Sequence, residues 1–129
     1  MNTTHKSLLW VFELGGYPNF TPLFEGLGLQ VTQVRSARKA MSAMRKSPPN
    51  ILLAEFNYQS DFRDRTSNVE SLLATVQHLP NTKVIVFYEK ETEHQLERML
   101  ENRTVFATMA YPIGEDDLRA VIERALKES

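Results

Sequence analysis

The chain has 129 residues, 42% of them hydrophobic, with a formal net charge of -1, which suits one compact domain with a continuous core and leaves no room for a second. It has no cysteine, so disulfides and thiolate metal sites are excluded and a reducing, cytoplasmic setting is expected. The near-neutral charge demands no polyanion, and the apolar start, Leu8 to Leu14, is too short and too interrupted by Glu13 and Gly15-Gly16 for a membrane span or a leader.

In chain order, apolar runs of strand length occur at Leu8 to Phe12, Leu29 to Val34, Ile51 to Phe56, Val84 to Tyr88 and Val105 to Tyr111. Helical periodicity fills the gaps. Phe20, Leu23, Phe24 and Leu27 follow the first run, Ala37, Ala40, Met41 and Met44 the second, and Val69, Leu72, Leu73 and Val76 the third. The weaker set Leu96, Met99 and Leu100 follows the fourth, and the clear stripe Leu118, Val121, Ile122, Ala125 and Leu126 follows the fifth. Gly26 and Gly28 can stop the first helix, Ser36 can cap the second, and Pro48-Pro49 forbids its continuation. Asn81 after Pro80 marks a turn, and Thr92 can cap the fourth helix. Glu115, Asp116 and Asp117 open the last helix after Pro112, where carboxylates favour the positive end of the helix dipole.

Five repeats of strand and helix predict an α/β fold: a five-stranded parallel sheet with helices on both faces, built by right-handed crossovers. Strands as continuously apolar as Leu-Leu-Trp-Val-Phe agree, because both sheet faces are then buried. In such a sheet the chemistry belongs at the carboxyl ends of the strands.

Those ends carry Phe12-Glu13, Glu55, Tyr88 and Tyr111-Pro112. In length, element order and the placing of these ends, from about Ser7 to Lys127, the chain resembles the CheY-like receiver domain of two-component response regulators. The resemblance implies the flavodoxin-like strand order 2-1-3-4-5. In that family two acids on the first strand hold Mg²⁺, an Asp on the third accepts phosphate, the fourth ends in Thr or Ser and the fifth in Lys-Pro. Here Phe12-Glu13 stands for the acid pair, Glu55 for the acceptor, Tyr88 for the hydroxyl and Tyr111 for the lysine, while Thr108 replaces a common switch aromatic. Pro112 is kept, and with it the family's cis X-Pro bond is expected at Tyr111-Pro112.

These replacements remove chemistry. Phosphoryl transfer to a carboxylate needs in-line positioning, a divalent cation and a fixed positive charge. Glu55 is one methylene longer than Asp, which moves its oxygens by roughly 1.5 Å, and a misplacement of that size can lose ~100-fold in rate. The expected role is therefore a phosphorylation-independent pseudo-receiver that acts as a protein-interaction module and not as an enzyme. The alternative is a phosphorylatable receiver using Glu55 in place of Asp. Glu55 itself is expected to be partly solvated and bonded to backbone or to the hydroxyl of Tyr88 or Tyr111, unless its longer reach imitates phospho-Asp.

Other features are weaker. Glu13 and Glu55, with Glu89 or Asp61, form a poor candidate for Mg²⁺; no other cofactor is expected, since no Gly-rich phosphate loop follows a strand. His5, His78 and His94 are scattered and read as solvent-exposed. The second helix carries Arg35, Arg38, Lys39, Arg45 and Lys46 with no acid, which reads as a solvated face and not a nucleic-acid interface. Residues 1 to 54 hold six Lys/Arg against two Glu, while 89 to 129 hold ten acids against six bases, so charge is split along the chain. Residues 57 to 70 are long enough for a lid or docking loop. A protein partner is expected, with a homodimer through Thr92 to Lys127 implied by the family.

Overall fold

In the computed structural model, residues 6–13, 15–57 and 68–128 are described. Five strands, β1 (Lys6–Val11), β2 (Leu29–Val34), β3 (Ile51–Glu55), β4 (Lys83–Tyr88) and β5 (Ala107–Ala110), form one sheet in the order β2-β1-β3-β4-β5. All pairings are parallel. The helices are α1 (Thr21–Gly26), α2 (Ala37–Lys46), α3 (Asn68–Val76), α4 (Glu93–Met99) and α5 (Glu115–Lys127), with a 3-10 turn at Lys90–Thr92 before α4. The expected fold class and strand order are both found.

The period of two along each strand divides the core. Leu9, Val11, Leu52, Ala54, Val84 and Val86 point to the side where α2, α3 and α4 supply Ala40, Met44, Leu72 and Leu96. Leu8, Trp10, Ile51, Leu53, Ile85 and Phe87 point to the side where α1 and α5 supply Leu23, Phe24, Leu118 and Ile122. Central strands buried on both faces need apolar residues at every position, which is why β3 and β4 read as unbroken apolar runs. Asn50 ties the amino-terminal edge together: its side-chain oxygen accepts from the Ser7 N–H at 2.9 Å, its own N–H donates to the Ser7 carbonyl at 3.0 Å, and its carbonyl accepts from Lys83 N–H at 2.9 Å.

Several element ends differ from expectation. β5 spans four residues where seven were expected, Val105 to Tyr111. The backbone still reaches β4 beyond both ends, since Phe106 N–H donates to the Val84 carbonyl at 2.8 Å and Tyr111 N–H to the Tyr88 carbonyl at 2.9 Å. Phe12 and Phe56 likewise lie just past β1 and β3, each still donating its N–H to a neighbouring strand. Ser36 caps α2 as expected, its hydroxyl accepting from Lys39 N–H at 3.2 Å. Thr92 does not cap α4 with its side chain, because its hydroxyl is turned back onto the Glu89 carbonyl at 2.8 Å. The Tyr111-Pro112 bond is cis.

Candidate functional site

Glu55 ends β3, and its parity with Ile51 and Leu53 aims its side chain at the α1/α5 side of the sheet. Its residue is 1% exposed. That corrects the expectation of a partly solvated carboxylate; the expected bonds to backbone are found, while the hydroxyl partner is one not expected, Tyr17. The Tyr17 hydroxyl donates to Oε2 at 2.5 Å, within the range of short charge-assisted bonds. Glu13 N–H donates to Oε2 at 3.3 Å, and Gly15 N–H lies 3.4 Å from Oε1 and 3.3 Å from Oε2. Buried carboxylates are costly unless so bonded.

Neither expected hydroxyl bonds to Glu55. Tyr88 has the parity of Val84 and Val86, so it points to the opposite face, where its hydroxyl donates to Glu93 Oε2 at 3.3 Å. Burial, and then the Glu93 carboxylate, raise the Tyr88 pKa above the ordinary value. Tyr111 does sit on the correct face, but it joins the site through its ring, stacked on Tyr17 with centroids 5.8 Å apart and planes 22° from parallel.

Tyr17, absent from the expected set, organises the rim. Its hydroxyl oxygen accepts from Trp10 Nε1–H at 3.0 Å while donating to Glu55, so three side chains form one relay. Its ring packs against five others: Trp10, Phe12, Phe20, Phe87 and Tyr111. Burial first, and the hydrogen bond to Glu55 second, push the Tyr17 pKa far above that of an ordinary tyrosine, against the smaller opposing effect of the Trp10 bond. Burial and the negative charges of Glu55 and Glu89 raise Tyr111 in the same direction. Both hydroxyls therefore stay protonated through the neutral range.

The loop that brings Tyr17 over Glu55 depends on glycine at one point above all. Gly15 has φ +75°, and a Cβ built there would come within 2.6 Å of the Phe12 ring. Only glycine can take that backbone and keep its N–H on Glu55. Gly16 also has positive φ, so the Gly15-Gly16 pair is the turn that its composition suggests. Phe12 is half-buried, with the Arg35 guanidinium 5.5 Å from its ring centre.

The donor set does not fit the Mg²⁺ that the resemblance implies. An octahedral ion needs about six oxygens around it, whereas the oxygens of Glu55 already face two backbone N–H groups and a phenol. Phe12 supplies no oxygen from its side chain, Glu89 is exposed, and no group of three acidic or histidine side chains converges among the described residues. Asp61 lies outside the described residues, as do His5 and most of the 57 to 70 segment. His78 and His94 are exposed, and so is Thr108.

No family model and no curated relative matches the sequence. Solved structures match its fold. NtrX from Brucella abortus, solved with ADP, superposes with a TM-score of 0.74 at 18% identity, over 95% of this chain and 27% of that one. The signal receiver domain of a Luxo repressor protein from Vibrio parahaemolyticus gives 0.68 at 16% identity, covering 98% of this chain and 92% of the other. The amino-terminal domain of a response regulator/sensory box/GGDEF protein from Carboxydothermus hydrogenoformans gives 0.72 at 16%, covering 95% and 94%. The chain has the fold of response-regulator receiver domains and spans about a quarter of the NtrX polypeptide. Among the described residues, no helix is long and apolar enough to cross a membrane.

Proposed function

We propose that this chain is a pseudo-receiver: a signalling or scaffolding module that works by protein contact and accepts no phosphate. The observation that carries this reading is the sealed carboxylate, with Glu55 buried and the Tyr17 hydroxyl seated on its Oε2 at 2.5 Å. A nucleophilic carboxylate needs a free oxygen and an open in-line path to phosphorus. Here a phenol and two backbone N–H groups take the oxygens, and the ring of that phenol is itself stacked on Tyr111.

Electrostatics support the same reading. Tyr111, standing where the resemblance calls for lysine, brings no positive charge to offset a phosphoryl group. Tyr88 sends its hydroxyl to the other face of the sheet. The Glu55 carboxylate is instead internally bonded, so it acts as part of the architecture. A homodimer through Thr92 to Lys127 belongs to this proposal. In that stretch Met99, Leu100 and Val105 are half-buried, and Phe106 lies under the Arg124 guanidinium at 5.5 Å. Sedimentation velocity that finds only monomer at high concentration would remove that part.

Intact-mass analysis after incubation with acetyl phosphate and Mg²⁺ tests the central claim. The wild-type mass should not change. A phosphoryl adduct on the wild type that disappears in Glu55→Gln would overturn the reading and favour a phosphorylatable receiver.

A further inference from the structure

The second helix carries Arg38, Lys39, Arg45 and Lys46, all exposed. Among the described residues, ion pairs join Arg103 to Glu70 and Arg119 to Glu115, and neither involves these four cations. Where the end of α2 meets the end of α3, a groove of about 350 Å³ opens, lined by Met44, Arg45, Ala74, Thr75, His78 and Leu79. Ala74 and Leu79 give it accessible apolar surface over the buried Met44, while Arg45 and His78 stand as its polar members. Arg38 lies seven residues before Arg45, two turns away on the same flank of the helix. The Thr75 hydroxyl donates to the Ser71 carbonyl at 3.4 Å and so is engaged with its own helix.

We infer that this groove docks an acidic amphipathic segment of a partner protein, an apolar side chain entering beside Ala74 and Leu79 and flanking carboxylates meeting Arg45 and Arg38. An apolar slot bordered by cations selects that chemistry over a plain polyanion, which would leave the slot unfilled, and over a neutral helix, which would leave the cations unmatched. The groove is also within the size range of ordinary binding clefts. The acidic first turn of α5 in a second copy of this chain would match it less well. The exposed acids Glu115, Asp116 and Asp117 stand beside Ile113 and Leu118, which are 8% and 0% exposed, so no apolar side chain projects among them.

The inference rests on the reading of the domain as a contact module, and its test is separate from acetyl phosphate labelling. The probe is a fluorescein-labelled helical peptide of glutamate with leucine at i, i+3, i+4 and i+7, titrated by anisotropy against the full chain. A control peptide has serine in place of leucine. Binding should favour the leucine peptide and weaken about tenfold or more in Arg45→Glu. Ala74→Trp, which fills the slot from an exposed position, should weaken it similarly, and both variants should keep the wild-type melting temperature. Equal binding of the serine peptide, or binding untouched by Ala74→Trp, would overturn the proposal. So would tighter binding of a DNA duplex, or self-association that Arg45→Glu abolishes, since each assigns the face to a different occupant.

Discussion

At the scale of single residues, the chain's chemistry is concentrated in the bond between Tyr17 and Glu55. Tyr17→Phe removes one atom, yet it leaves a buried carboxylate short of its best donor and Trp10 Nε1–H without its acceptor. The expected loss is about 2 kcal/mol, because hydrogen bonds to buried charged groups exceed the usual value. Urea denaturation measures it, and an unchanged midpoint would mean that the carboxylate is satisfied without the phenol. The raised tyrosines also fix a pH dependence. Above the ordinary tyrosine value of 10.0 the unfolded chain releases protons that folded Tyr17 and Tyr111 retain. The unfolded state then binds fewer protons, so stability falls as pH rises through that point. Urea midpoints should decline above about pH 10, and less steeply in Tyr17→Phe.

Glu55 itself was legible in the sequence as the residue ending an apolar strand. Tyr17 was not. It lies in a loop between two elements, where no period relates it to a strand end 38 residues away, and only the folded path of Gly15-Gly16 brings the two together. The misplaced role of Tyr88 has a different origin. The sequence places it correctly at the end of β4, but side-chain direction depends on parity with the neighbouring strand, which requires the register.

At the scale of elements, the Gly15-Gly16 turn decides how the rim is held. Gly15→Ala should force the Phe12 ring aside and strain a residue at φ +75°, withdrawing an N–H from Glu55. The cost should exceed the half to one kilocalorie per mole, roughly, of a glycine change in ordinary backbone; a melting temperature equal to wild type would show that the loop can rearrange freely. Ser36→Ala tests a simpler contact, the cap of α2, and should cost about 1 kcal/mol. Strand and helix identities followed from periodicity alone. Ends did not, because Val105 and Tyr111 are apolar enough to extend a strand while hydrogen bonding at the boundary depends on the partner strand.

For the molecule as a whole, the sheet separates two apolar layers that share every central strand. Leu52 faces one and Leu53 the other, both fully buried. Leu52→Ala and Leu53→Ala should each cost about 3 kcal/mol by opening a cavity, and each should shift one transition without splitting it. Near-UV and far-UV circular dichroism that separate in either variant would show that the layers melt independently. The fold class was readable because five alternations of strand and helix admit few topologies. The α2/α3 groove was not, since it joins residues of two helices whose approach no linear pattern encodes.

The relay through Tyr17 also gives the domain an optical gauge. Trp10 is the chain's sole tryptophan, fully buried, and its indole nitrogen is tethered to the ring that closes the rim. Whatever pries that ring away must let water reach the indole, and the emitted light should then redden and dim. Opening of this site would thus announce itself in the fluorescence of the unlabelled protein.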